Sequence, residues 1–141
     1  MTFKAILFDL DGTLLNTLND IGNAANRTLS KRGLPMHDLP SYRKFIGDGA
    51  EKLIIRALPE NKRDMKTVRD CLDDFLTDYG YNWNIETQIY EGIPEALDAL
   101  ISRALKLAVL SNKPHELTNR CTSFFFSRWH FEIVLGQQNS F

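Results

Sequence analysis

Asp9 and Asp11 stand two residues apart at the end of an apolar run, in Phe3-Lys4-Ala5-Ile6-Leu7-Phe8-Asp9-Leu10-Asp11-Gly12-Thr13-Leu14. In an extended strand, side chains at i and i+2 share a face, so the two carboxylates can converge near one reacting atom. Asp and Gly are depleted in strands, and the run from Ala5 to Phe8 reads as buried; secondary-structure propensity gives no reason for acids at its end. Two carboxylates so placed can divide a phosphoryl transfer between them. Asp9 would attack phosphorus and form an aspartyl-phosphate, replacing one difficult displacement by two easier ones. Asp11 would protonate the leaving oxygen and then take a proton from the attacking water. Gly12 lets the chain turn sharply after the strand. The phosphoryl group brings negative charge toward Asp9, and that repulsion requires a cation; magnesium, a hard ion with oxygen ligands, is the expected cofactor.

A second constellation is Ser111 with Asn112, directly after the apolar run Leu105 to Leu110. In open α/β sheets, ligands bind where loops leave the carboxyl ends of the strands. A hydroxyl and backbone N–H groups there can hold phosphoryl oxygens without adding negative charge, although a Ser-Asn pair after a strand is equally a plain turn. In Phe45-Ile46-Gly47-Asp48-Gly49-Ala50, Gly47 and Gly49 permit close backbone approach, and the start of the following helix offers N–H donors suited to an anion. A flexible turn capped by Asp48 is the competing reading. Arg43 and Lys44 could meet a substrate carboxylate or simply be solvated. His37, His115 and His130 lack partners at metal-ligand spacing and read as surface or supporting residues.

The elements that must carry these residues follow from periodicity. Thr17 with Asp20 matches a capping pattern ahead of Leu18, Ile21, Ala25 and Leu29, with Gly33 as a stop. Asp48 with Glu51 repeats it ahead of Leu53, Ile54, Ala57 and Leu58, and Pro59 ends that helix. A third helix, from about Lys62 to Tyr79, carries Met65, Val68, Leu72, Phe75, Leu76 and Tyr79 as its apolar stripe, with Gly80 as a stop. From Tyr90 onward helices and strands alternate, the pattern of a parallel α/β sheet. Pro94 opens one helix. Leu105–Leu110 is a buried strand ending in Ser111-Asn112-Lys113-Pro114, and a helix over His115–Phe126 leads to a short strand, Phe131–Leu135, stopped by Gly136.

Of the 141 residues, 43% are hydrophobic, enough for a core, and the formal net charge is −1. With a pI near 6.3 there is no basic field, so neither nucleic acid nor an anionic membrane is the expected partner. No stretch approaches a membrane span and none reads as a signal peptide, so the expected setting is cytoplasmic. Cys71 and Cys121 are far apart in sequence and read as reduced, partly buried thiols. No coiled-coil seam or other assembly signature appears, which leaves the oligomeric state open.

The Asp9-Leu10-Asp11-Gly12-Thr13 segment resembles the first motif of the haloacid dehalogenase superfamily, and Leu110-Ser111-Asn112-Lys113-Pro114 resembles the second motif of its phosphoglycolate phosphatase-like branch. The resemblance implies an α/β fold, a partial Rossmann-like parallel sheet over residues 1–15 and 88–141, with a helical cap inserted over 16–87. It implies Asp9 as nucleophile, Asp11 as acid/base whose backbone carbonyl also binds magnesium, and Thr13 as an orienting group for Asp11. It further implies Ser111 on the phosphoryl group and the Gly47–Gly49 loop facing the substrate. A cap of that size can close over a small phosphorylated metabolite and exclude water, which favours substrates such as 2-phosphoglycolate.

The family pattern continues with a Lys after the third strand and an acidic pair after a further strand, beyond the Gly136–Phe141 stretch where this sequence ends. The expectation is therefore a shortened chain. It would have an apolar edge at Ala5–Phe8, too few magnesium ligands and little phosphatase activity unless a second polypeptide supplies the rest. Lys113 reads as part of the second motif's loop and a poor substitute for the later Lys. A sugar-phosphate mutase of the same architecture and a non-catalytic remnant or binding protein are the alternatives.

Overall fold

The computed structural model describes residues 2–138; residues 139–141 of the expected core segment lie outside them. In chain order the elements are β1 (Ala5–Phe8), β2 (Leu15–Asn16), α1 (Leu18–Lys31), a 3-10 helix (Leu39–Lys44), α2 (Ala50–Ala57) and a 3-10 turn (Glu60–Lys62). There follow α3 (Met65–Asn82), β3 (Gln88–Ile89), α4 (Ile93–Ser102), β4 (Lys106–Pro114), α5 (His115–Phe125) and β5 (Phe131–Gln137). The chain divides into two compact units, one holding residues through Asn16 and from Gln88 onward, the other Thr17–Thr87.

The first unit is α/β. Its sheet runs β1-β4-β5 with both pairs parallel: Phe8 lies opposite Val109, and Val109 opposite Val134. Leu15 and Asn16 pair antiparallel with Ile89 and Gln88, a two-residue ribbon too short for periodicity to reveal. Helices α4 and α5 pack on the sheet, and the face they cover holds the fully buried Leu107 and Val109. Among the described residues, no helix covers the other face. Leu7, Leu110, Ile133 and Leu135 share it at 62, 48, 61 and 40% exposure.

The run Ala5–Phe8 is therefore not buried as its composition suggested. Among the described residues β1 has a single strand neighbour, and no helix covers the side that Leu7 faces. Gly136 does not stop β5 either; the strand passes through it to Gln137, which pairs with Pro114. Glycine is needed there for close approach. A Cβ would lie 2.6 Å from both the His115 Cα and the Lys113 carbonyl oxygen, and closer still to Thr118 Oγ1.

The second unit is helical. Ile21, Ala25 and Leu29 of α1 and Val68, Phe75 and Tyr79 of α3 are buried as those helices pack together. Arg27 and Asp78 join them through contacts of 2.6, 2.9 and 3.2 Å, and Arg32 reaches Asp74. The expected caps shift. Thr17 makes no side-chain cap bond, and Asp20, 3% exposed, accepts instead from the N–H groups of Glu86 and Thr87 and from the Thr87 hydroxyl, at 2.7–3.0 Å. Gly49 rather than Asp48 begins α2, and Asp48 pairs with Arg56 at 2.7 Å. Helix α3 starts behind Asp64, whose carboxylate accepts from Thr67 N at 3.0 Å, and it continues through Gly80. A glycine inside a helix costs only about 1 kcal/mol, less than the packing of Phe75 and Tyr79 returns. Met65 is 78% exposed rather than part of the apolar stripe.

Both cysteines are fully buried, and burial pushes the Cys71 thiol pKa up. Among the described residues, no helix is long and apolar enough to cross a membrane.

Candidate active site

Strand β1 ends at Phe8, one residue before Asp9, so the strand pleat does not itself align the two acids. A tight loop does the positioning. Asp9 is exposed and its Oδ1 accepts the Leu10 N–H at 2.8 Å. The Leu10 carbonyl accepts from the N–H groups of Thr13, Leu14 and Leu15, and Gly12 N donates to the Leu15 carbonyl at 2.8 Å. Gly12 takes φ +78°, a conformation open to glycine and strained for other residues. Leu10, Leu14 and Leu15 are fully buried, so apolar packing anchors the loop while Asp9 and Thr13 face solvent.

The partner segment is the carboxyl-terminal end of the adjacent strand, in register with the first. Strand β4 runs past Leu110, through an irregularity in its pairing with β5, to Pro114. Burial alternates along it: Ser111 and Lys113 turn inward and Asn112 outward. Ser111 Oγ accepts the Lys113 N–H at 3.1 Å. The Lys113 ammonium lies 3.0 Å from Asp11 Oδ1 and 3.3 Å from Oδ2, with the lysine side chain 2% exposed and the aspartate side chain 12%.

Lys113 is thus the residue undervalued by sequence reasoning. Its sequence signal was the period-2 pattern itself: continued past Leu110, it puts residues 111 and 113 on the face of Leu107 and Val109. Treating Ser111-Asn112-Lys113-Pro114 as a turn hid that signal.

His115 supports the same region, its Nδ1 accepting the Gly136 N–H at 3.0 Å. The other histidines stay apart: His37 Nε2 is 2.7 Å from the Ala57 carbonyl, and His130 is 3.6 Å from Glu132. Gly47 and Gly49 belong to the helical unit, before α2, with φ values of +127° and +95°. Arg43 and Lys44 are exposed in that unit.

Among the described residues, no group of three His, Cys, Asp or Glu side chains is arranged to hold a metal. The donors at the loop are both oxygen: the exposed Asp9 carboxylate and the backbone carbonyl of Asp11. That set fits magnesium, which binds through one or two carboxylates and leaves its other positions to water and phosphate oxygens.

The sequence profile of the haloacid dehalogenase-like hydrolases matches residues 6–141. The chain is 34% identical over 133 residues to the phosphoglycolate phosphatase of Aquifex aeolicus, covering 94% of this chain and 60% of that protein. Two crystal structures with provisional phosphoglycolate phosphatase assignments share the fold. The Lactobacillus delbrueckii subsp. bulgaricus protein superposes at TM-score 0.90 and 26% identity, over 98% of this chain and 66% of that one. The Haemophilus somnus 129pt protein does so at 0.85 and 29%, over 99% and 65%. The chain therefore spans less than two thirds of the length of each of these relatives. The profile match over nearly all its residues, with the loop of two aspartates at the carboxyl edge of a parallel sheet, makes this chain a member of the haloacid dehalogenase-like hydrolase family.

Proposed function

We propose that the chain carries the first two motifs of a magnesium-dependent phosphatase acting on a small phosphorylated metabolite of the 2-phosphoglycolate kind. The observation that carries this reading is the ion pair between Asp11, in the Asp9–Thr13 loop, and Lys113, two residues beyond Ser111 on the neighbouring strand. The name of the Aquifex aeolicus relative supports the substrate class.

In this reading an Asp9 carboxylate oxygen attacks phosphorus. The Asp9 O–P bond forms, the bond from phosphorus to the leaving oxygen breaks, and Asp11 gives that oxygen its proton. Water then attacks the aspartyl-phosphate, Asp11 takes back a proton, and Asp9 is released with inorganic phosphate. Ser111 and Asn112, with backbone N–H groups at the end of their strand, are the candidate holders of the phosphoryl oxygens, and Thr13 the candidate orienting group for Asp11. Asp9 and Asp11 would hold magnesium, which supplies charge neutralisation for the incoming phosphoryl group. Gly47 and Gly49 are the helical insert's candidate substrate-binding positions.

Phosphate release from 2-phosphoglycolate and from an aryl phosphate, with magnesium and with chelator, tests the reading. Asp9→Asn keeps the side chain's shape and removes the nucleophile, so turnover falls to background in that variant. Turnover by Asp9→Asn at the parent rate would refute it.

A further inference from the structure

The loop over residues 45–49 is anchored at both ends. The N–H groups of Phe45 and Ile46 donate to the Tyr42 carbonyl at 3.0 Å, the Phe45 ring sits edge-on to His37 and Tyr42, and the Gly49 carbonyl accepts the Leu53 N–H of α2 at 3.1 Å. Gly47 and Gly49 take φ values of +127° and +95°, and a stretch with two such glycines has many conformations open to it. Arg56 of α2 spans that stretch. One nitrogen of its guanidinium donates to the Phe45 carbonyl at 3.2 Å, and the other lies 2.7 Å from an Asp48 carboxylate oxygen, a planar two-pronged geometry that a lysine ammonium lacks. Asp48 is 60% exposed, so the pair adds little to stability. Its effect is on the loop, whose start and middle are joined through one rigid group.

We propose that Arg56 is a positioning residue for substrate: it holds the 45–49 loop in one conformation, so that the backbone at Gly47 and Gly49 meets an anionic metabolite already ordered. This rests on the reading of Gly47 and Gly49 as substrate-binding positions. A loop ordered before binding loses less conformational entropy when the ligand arrives. Asp48 carries the wrong charge to attract that ligand, and it serves binding only through Arg56.

The test titrates 2-phosphoglycolate, with magnesium, into the full chain carrying Asp9→Asn, so that the ester persists, and follows the backbone amides of Gly47 and Gly49. Charge alone predicts that Asp48→Ala, which removes a carboxylate next to these positions, binds the anion more tightly. The clamp predicts the opposite. Affinity falls at least about fivefold in Asp48→Ala and in Arg56→Gln, at a Tm close to the parent's, and the heteronuclear NOEs of the loop amides drop in both. Arg56→Lys, which keeps the charge but not the fork, stays closer to Arg56→Gln than to the parent. Unchanged or tighter binding in Asp48→Ala, loop NOEs equal to the parent's, or recovery of parent affinity in Arg56→Lys overturns the inference.

A parent chain whose Gly47 and Gly49 amides do not respond to the ester refutes their reading as substrate-binding positions, and the inference falls with it. A response confined to Ser111 and Asn112 leaves the phosphatase reading standing in that case, and no response at any amide refutes that reading as well. Should Arg56→Gln fail to fold, Asp48→Ala, a change at an exposed side chain, decides alone.

Discussion

The buried carboxylate of Asp20 accepts two backbone N–H groups and a hydroxyl, and deleting it strands those donors away from water. An Asp20→Ala variant is expected to lose on the order of 3 kcal/mol, since each unsatisfied buried group costs about 1–3 kcal/mol. A urea midpoint lowered at unchanged slope would show it. Asp20 was read from sequence as half of a helix cap; only its contact with residues 66 and 67 positions later gives it its role. The thiols behave as residues of the interior too. With both cysteines fully buried and the Cys71 pKa raised by that burial, neither is expected to react with an aromatic disulfide reagent until the chain unfolds. A fast, stoichiometric reaction in the native state would contradict this.

At the scale of elements, β5 and α5 meet at Gly136, and a methyl group there must displace the His115 backbone, the Lys113 carbonyl or Thr118. Gly136→Ala is expected to cost roughly 1–3 kcal/mol as an overpacked contact, read as a drop in Tm. Phosphate release should fall with it, because the displaced atoms carry Lys113. Helices α1 and α3 are tied by Arg27 and Asp78, and the hydrogen bond from Arg27 holds the Asp78 carboxyl below its ordinary value of 3.8. The folded state therefore binds that proton less readily than the unfolded chain. The pair contributes fully above the ordinary value, and its contribution fades as pH falls through the lower folded value. Arg27 is nearly half exposed, so solvent screening limits the pair to about 1 kcal/mol or less. Arg27→Ala should lower the urea midpoint at neutral pH, and the difference from wild type should shrink as pH falls below the ordinary carboxylate value.

For the molecule as a whole, one face of the sheet in the first unit is exposed among the described residues. Parallel sheets are ordinarily covered on both faces, yet here Leu7, Leu110, Ile133 and Leu135 share an exposed face beside the side of β1 that pairs with no strand among the described residues. A contiguous apolar face next to a strand edge favours self-association. Light scattering of the 141-residue chain is expected to rise with concentration, and Leu7→Lys combined with Ile133→Glu to suppress the rise without lowering Tm. A wild-type chain that stays monomeric at high concentration would argue against it. In the helical unit, the buried residues of α1 and α3 pack against each other, while Met65 and Tyr81 of α3 are exposed.

Local chemistry made much of this legible in advance. The change from helical periodicity to alternating helix and strand near Tyr90 and the turn at Gly12 are both written in neighbouring residues, because periodicity and turn propensity act over a few positions. What lay beyond that range was decided by packing between distant parts of the chain. Lys113 acquires its meaning from a carboxylate 102 residues away, Asp20 from an N–H 66 residues on, and Gly136 from the helix start it nearly touches. The exposure of Leu7 depends on which neighbours cover a strand. Sequence determined the residue types and the order of elements; burial and ion pairing, which depend on what arrives from elsewhere in the chain, were fixed only by the tertiary fold.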